Sequence, residues 1–163
     1  MPSLLKKILI VEDEAPILQA LSDKLSRENF EVYEARDGEE GLDSAFKNQP
    51  DLILVDVMMP KMNGMTMLKK LREDERGVNI PVIILTNLSE VPRLIDSLEY
   101  GISEQTQHCK NFSPETTQKY IKTYLDARLK KGIDDFIPKA NWKLEDLVKK
   151  VKETLDLNIN EEK

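Results

Sequence analysis

The sequence predicts a doubly wound α/β sandwich, in which helices cover both faces of a parallel sheet. Short runs rich in Ile, Leu and Val occur at residues 8–11, 52–55 and 82–85, and each is too short for a helix. Segments with helical spacing of apolar residues lie between and after these runs. Strands that alternate with helices in this way are joined by right-handed crossovers and lie parallel in one sheet.

Five strands are expected. The three apolar runs predict central strands, because unbroken aliphatic segments suit a sheet that is covered on both faces. Residues 31–35, Glu-Val-Tyr-Glu-Ala, alternate in hydrophobicity and predict an edge strand. Residues 135–138, Asp-Phe-Ile-Pro, predict the last strand.

Four segments carry an apolar stripe at the spacing of a helix. The stripes comprise Ile17, Leu18, Leu21 and Leu25; Leu42, Ala45 and Phe46; Met65, Leu68 and Leu71; and Leu144, Leu147, Val148, Val151 and Leu155. Asp37 precedes the second stripe, with Glu40 three residues later, which is the pattern of a capping box. Asn63 and Gly64 mark the start of the third helix.

The connection between the fourth and fifth strands, residues 87–131, is longer than the other crossovers. A structureless loop of this length is improbable inside a compact domain, so two helices are expected there. Their stripes comprise Val91, Leu94, Ile95 and Leu98, and then Tyr120, Ile121, Tyr124, Leu125, Arg128 and Leu129. We therefore predict one domain, residues 1–163, with a helical insertion at residues 91–117 and a disordered acidic tail at residues 158–163.

Composition narrows the classes of partner. The 163 residues carry a net charge of -6, which argues against general affinity for nucleic acid or an anionic membrane and favours protein partners. Cys109 is the only cysteine, and no apolar run approaches the roughly 20 residues that span a bilayer. No secretory signal is present at the start, so a cytoplasmic location is expected. Because little sequence follows Leu155, we expect no effector domain and no direct DNA binding.

Polar side chains stand where the predicted strands end, and ligands of doubly wound sheets bind at the carboxyl ends of the strands. Glu12, Asp13 and Glu14 follow the first strand, Asp56 the third, Thr86 the fourth and Lys139 the fifth. Clustered carboxylates require a cation, and hard oxygen ligands select Mg²⁺ or Mn²⁺. Beside such an ion, an aspartate can act as a nucleophile that forms an acyl phosphate. A hydroxyl and an ammonium group would then contact the phosphoryl oxygens.

The chain resembles the response-regulator receiver domain of two-component signalling over residues 6–157, interrupted by the long connection. Four ordered motifs carry the resemblance. They are Ile-Leu-Ile-Val-Glu-Asp-Glu at 8–14, Asp-Val-Met-Met-Pro-Lys-Met-Asn-Gly at 56–64, Ile-Ile-Leu-Thr at 83–86 and Gly-Ile-Asp-Asp-Phe-Ile-Pro-Lys at 132–139. The resemblance implies a flavodoxin-like sheet of strand order 2-1-3-4-5.

The resemblance also implies roles for individual residues. Asp56 would be the phosphoacceptor, served by a histidine kinase or a phosphotransfer protein. Asp13, Asp56 and the backbone carbonyl of Met58 would bind Mg²⁺ directly, and Glu12 would assist through water. The domain would be a regulatory phosphoacceptor rather than an enzyme, with at most slow self-phosphorylation and self-dephosphorylation.

Three further residues complete the implied machinery. Thr86 and Lys139 would contact the phosphoryl group, and Thr86 would move toward it. Phe136 would change rotamer in response, although simple packing of an aromatic on an edge strand explains that position equally well.

Two features depart from the family pattern. Ala140 follows Lys139 where the family usually has a proline after a cis bond, and a cis bond before a non-proline residue costs about 2.5 to 4 kcal/mol, so a trans bond is expected. The insertion at residues 91–117 predicts a remodelled output surface. We expect an effector protein to bind through residues 91–131, or the insertion to block the dimer mode that is usual in the family.

Other readings of the sequence stay open. The insertion could lock a receiver-like adaptor in one conformation, independent of phosphorylation. An aspartate-dependent phosphohydrolase is disfavoured, because Met58 stands where a separate acid-base residue is needed. The methionines around residues 58–67 indicate packing rather than a soft-metal site. His108 and Cys109 lack further ligands at suitable spacing.

Overall fold

Five parallel strands form one sheet, with helices packed on both of its faces. The computed structural model describes residues 4–87, 113, 115–116, 119, 122–123, 132–139 and 142–155, with residue 86 described by its backbone alone. In chain order the elements are β1 (Lys7–Val11), α1 (Ala15–Arg27), β2 (Glu31–Ala35), α2 (Gly38–Asn48), β3 (Leu52–Asp56), α3 (Gly64–Glu73), β4 (Val82–Thr86), β5 (Asp135–Pro138) and α4 (Leu144–Thr154).

The strand order is β2-β1-β3-β4-β5, and every pair is parallel. The predicted fold class and strand order are therefore confirmed. In this order β1 and β3 are neighbours at the centre, with Val11 opposite Val55, and Thr86 of β4 lies opposite Pro138 of β5. The register brings the residues that follow β1, β3 and β5 to one edge of the sheet.

Each face of the sheet has its own apolar core. Successive strand side chains point to opposite faces, so Leu9 and Ile53 belong to one core while Ile8 and Leu52 belong to the other. The helices α2 and α3 cover the first core, and α1 and α4 cover the second. Burying one aliphatic side chain fully contributes about 1.5 to 3 kcal/mol, so the paired cores are the main stabilising element of the fold.

The predicted cap at Asp37 is present, and Asn63, which was predicted to mark a helix start, also caps its helix. Asp37 accepts a hydrogen bond from the N–H of Glu40 at 2.9 Å, and the Glu40 carboxylate accepts from the N–H of Arg36 at 3.0 Å. Asn63 accepts from the N–H of Thr66 at 2.8 Å. These bonds satisfy donors that a helix start otherwise leaves unpaired, so both helix starts are fixed by local sequence.

A buried arginine joins two loops at the other end of the sheet. Arg72, near the end of α3, is 1% exposed and donates to four backbone carbonyl oxygens. Its Nη1 lies 2.7 Å from Ile80 O and 2.8 Å from Gly77 O, with a longer contact of 3.3 Å to Val78 O. Its Nη2 and Nε lie 2.9 and 3.3 Å from Gly132 O. The guanidinium thus ties the turn before β4 to the residue from which the chain runs into β5.

Most of the long connection lies outside the described residues. The described part of this connection is helical at residues 115, 116, 119, 122 and 123. Ser113 accepts a hydrogen bond from the N–H of Thr116 at 3.2 Å, as is usual at the start of a helix. Several predictions concern residues outside those described. They are the predictions for most of the insertion at 91–117, for residues 108 and 109, for residue 140 and for the tail at 158–163. Among the helices that are described, none is long and apolar enough to cross a membrane.

Candidate functional site

Three carboxylates meet at the carboxyl ends of β1 and β3. Glu12 and Asp13 follow β1 directly, and Asp56 is the last residue of β3. One carboxylate oxygen of each lies within 4.8 Å of the others. Glu12 is fully buried and Asp56 is 3% exposed, whereas Asp13 is exposed. The sequence therefore predicted correctly that these three side chains lie together.

Lys139 extends from the end of β5 into this carboxylate cluster. Its Nζ donates to Asp56 Oδ2 at 2.9 Å and to Glu12 Oε1 at 3.3 Å, and it lies 3.0 Å from Glu12 Oε2. A third carboxylate oxygen, Glu14 Oε1, lies 3.5 Å away on the exposed side. The structure thus brings Lys139 to the predicted place. Glu14 was predicted at this edge of the sheet, and the structure adds its contact with Lys139.

The three carboxylates of this cluster face the single ammonium group of Lys139. Burial raises the pKa of Glu12 to about 7, and the nearby charge of Asp56 adds to the shift. Burial also raises the pKa of Asp56, although its hydrogen bond from Lys139 opposes the shift. Burial opposes the charge on Lys139, but the hydrogen bonds to Asp56 and Glu12 outweigh it and raise the pKa of the ammonium group. The positive charge of Lys139 is therefore stabilised by its carboxylate partners, whereas the negative charges of Glu12 and Asp56 are not fully stabilised by Lys139.

The donor set fits a hard divalent cation. Glu12 Oε2 is buried and receives no hydrogen bond from the described residues, although it forms an ion pair with Lys139 Nζ at 3.0 Å. A buried carboxylate oxygen without a donor is costly, and a cation or its water would satisfy it. Among the residues that the structure describes, the metal ligands that converge here are carboxylate oxygens, which match Mg²⁺ or Mn²⁺ rather than a softer metal.

The loop after Asp56 forms one wall of the site. The N–H of Gly64 donates to Val57 O at 2.9 Å, so the loop is closed at its base. Met58 stands in this loop with 49% of its surface exposed. Its backbone N–H donates to the Asp56 carboxylate, which lowers the pKa of Asp56 against the effect of burial.

The structure describes the two predicted switch residues, Thr86 and Phe136, to different extents. The backbone of Thr86 ends β4 at the same edge of the sheet, and its side chain lies outside the description. Phe136 is 4% exposed and belongs to the apolar core on the face of the sheet that α2 and α3 cover. Burial of this ring agrees with packing, and its switch role stays a prediction.

Sequence and structure comparisons place the chain among known proteins. The family model "Response regulator receiver domain" matches residues 8–122. The alkaline phosphatase synthesis transcriptional regulatory protein PhoP of Bacillus subtilis is 38% identical over 74% of this chain and 48% of its own length. The response regulator ArlR of Staphylococcus aureus is 34% identical over 79% of this chain and 57% of its own length. The chain spans about half the length of the curated relatives that it matches.

A solved structure supports the same assignment. The signal receiver domain of a signal transduction histidine kinase from Syntrophus aciditrophicus superimposes with a TM-score of 0.66 at 28% identity, covering 97% of this chain and 95% of its own. The family model spans well over half of the chain, and the sheet order and the carboxylate cluster match the expectation from the four motifs. The chain belongs to the response-regulator receiver domain family.

Proposed function

We propose that this chain is a phosphoacceptor module, in which Asp56 takes a phosphoryl group from a histidine kinase or a phosphotransfer protein. The observation that carries the proposal is the surroundings of the Asp56 carboxylate. It is buried beside Glu12 and Asp13 and accepts a hydrogen bond from Lys139 at 2.9 Å. A nucleophile, a cation-binding group and a fixed positive charge thus share one small volume at the sheet edge.

The proposed chemistry is one displacement at phosphorus. An oxygen of Asp56 forms a bond to phosphorus while the bond from phosphorus to the donor imidazole breaks, and the electron pair of that bond remains on the imidazole nitrogen. Lys139 then leaves its carboxylate partners and pairs with a phosphoryl oxygen, and Thr86 donates a hydrogen bond to another. In this proposal Asp56 is the acceptor, and Thr86 and Lys139 are the groups that hold the transferred phosphoryl.

Mg²⁺ or Mn²⁺ would be held by Asp13, Asp56 and the carbonyl of Met58, with Glu12 acting through water. Such an ion neutralises charge on the phosphoryl oxygens during transfer. The raised pKa of Glu12 and the lack of a hydrogen bond to Glu12 Oε2 among the described residues support this assignment.

The output of the module is part of the proposal. Movement of Thr86 and a rotamer change of Phe136 would carry the signal to an effector protein, bound through residues 91–131. A cytoplasmic location follows from a histidine-kinase donor. The acidic net charge of -6 supports a protein rather than DNA as the direct partner.

Incubation with Mg²⁺ and acetyl phosphate tests the proposal. Intact-mass spectrometry should show a gain of one phosphoryl group, which Asp56→Asn and removal of the metal with EDTA both abolish. Asp51→Asn serves as a control, because Asp51 lies at the opposite end of β3, where it accepts from the N–H of Lys7 at 2.8 Å. A protein that binds Mg²⁺ and yet forms no adduct would favour the adaptor that works without phosphorylation.

A further inference from the structure

The loop at residues 57–63 carries the Met58 carbonyl and is held from two sides. At its base, Gly64 packs so closely on the backbone carbonyl of Asp56 that a side chain at this position would overlap it. At its far limb, the N–H of Gly38 in α2 donates to Met62 O at 2.9 Å. The second contact comes from a helix that the proposed phosphoryl transfer does not otherwise use.

The start of α2 makes a close fit to this loop. A Cβ atom on Gly38 would lie 2.5 Å from Met62 O and 2.9 Å from Met62 Cβ, which is closer than real Cβ contacts allow. Because the obstructing atom is a backbone carbonyl, the loop itself would have to move. Glycine at position 38 therefore allows the loop to approach α2.

An ion pair adds to this fit. The buried carboxylate of Asp37 uses Oδ1 to cap α2, and its Oδ2 lies 3.5 Å from Lys61 Nζ. Lys61 has a φ of 61°, in the left-handed region, which is unfavourable for a residue other than glycine. The loop thus adopts a conformation that local preferences disfavour, and the contacts with α2 offset part of that cost.

We propose that Asp37 and Gly38, at the start of α2, are positioning residues for the cation site. They fix the loop that carries Met58 and so set the affinity of the site for Mg²⁺. This inference rests on the proposed function, because it takes the Met58 carbonyl as a ligand. Groups that orient metal ligands typically change metal affinity by 10- to 100-fold when they are altered.

Gly38→Ala tests the inference, with Gly77→Ala as the matched control. A Cβ on Gly77 would also press on a backbone carbonyl, at 2.6 Å from Leu71 O, but Gly77 lies in the turn before the amino-terminal end of β4. The Mg²⁺ dissociation constant is measured by calorimetry, and unfolding in urea is followed in parallel. We expect Gly38→Ala to weaken Mg²⁺ binding by about tenfold or more. Gly77→Ala should stay within about twofold of the wild type, even if both variants lose stability.

The direction in which Lys61→Met changes the Mg²⁺ affinity distinguishes a positioning role from an effect of charge alone. Lys61 is largely exposed, so this variant will fold. If Lys61 acted only through its charge, its removal would tighten binding of a cation. The positioning role predicts weaker Mg²⁺ binding, by about two- to fivefold, together with shifted methyl NMR signals of Met58 and Met59 in the absence of Mg²⁺.

These outcomes distinguish failure of the positioning role from failure of the phosphoacceptor proposal. Unchanged Mg²⁺ affinity in folded Gly38→Ala, or tighter binding in Lys61→Met, would overturn the positioning role and leave the phosphoacceptor proposal intact. If Gly38→Ala does not fold, the sign of the Lys61→Met effect decides. A wild-type protein that binds no Mg²⁺ would remove both proposals.

Discussion

Replacement of Arg72 by methionine should destabilise the fold substantially, although Arg72 lies far from the carboxylate cluster. Its three shortest hydrogen bonds, at 2.7, 2.8 and 2.9 Å, reach the carbonyls of Ile80, Gly77 and Gly132. Bonds from a charged donor contribute about 1.5 to 3 kcal/mol each, so the three together contribute about 6 kcal/mol. Methionine retains most of the apolar stem and none of these donors.

The cost of burying the cation offsets part of this contribution. Burial lowers the pKa of Arg72 from 12.5 to about 10, with the charge of Asp134 acting in the opposite direction, and this shift corresponds to a cost of about 3 kcal/mol. The difference leaves a net loss of about 3 kcal/mol for Arg72→Met. In a chain of this size such a loss lowers the melting temperature by roughly 6 to 12 °C.

Urea unfolding followed by circular dichroism measures this difference directly. Arg76→Met is the control, because Arg76 is an arginine four residues away with an exposed side chain that pairs with Asp74 and stacks on the ring of Phe46. The control should lose less than about 1 kcal/mol. Equal losses in the two variants would refute the argument that the buried carbonyls make Arg72 important.

Three further predictions concern the cap, the pH dependence and the lysine. Asn63→Ala should lose about 1 kcal/mol in thermal unfolding while Asn63→Asp keeps the cap, and equal losses would contradict the capping bond at 2.8 Å. The metal-free protein should lose stability as pH rises from 4.5 to 7, because folded Glu12 retains a proton, up to its raised pKa of about 7, that the unfolded chain releases near 4.5. Urea titrations in EDTA measure this slope, and Glu12→Gln should flatten it; an unchanged slope in that variant would count against the assignment. Lys139→Met should bind Mg²⁺ several-fold more tightly by calorimetry, because a positive charge leaves the cluster, yet react with acetyl phosphate about 100-fold more slowly. Weaker Mg²⁺ binding in this variant would show that Lys139 supports the cation site.

The strands were predictable because their signal is local. The apolar runs placed β1, β3 and β4 to within one residue at each end, and the parallel order then brought Glu12, Asp13 and Asp56 to one edge. The Asp37 cap followed from residue types at a fixed offset, and Asn63 and Gly64 marked the start of α3. Each of these predictions depends on a pattern contained in a few consecutive residues.

Other contacts could not be predicted, because no local pattern in the sequence indicates them. An arginine in an amphipathic helix is ordinarily exposed, and nothing near Arg72 indicates that carbonyls from residues 77–80 and 132 converge on it. The fit of Gly38 against Met62 and the approach of Glu14 to Lys139 also join residues that are distant in the sequence. Such contacts depend on how finished elements pack, so they require the structure.

The attachment of β5 has a consequence for protein engineering. Gly132 is fixed by Arg72, and Asp134 exchanges two hydrogen bonds with the backbone of Val82, at 2.8 and 2.9 Å. The start of β5 is thus anchored by residues that precede the long connection. Because none of these anchoring contacts involves residues 88–131, replacement of that segment would leave them in the chain.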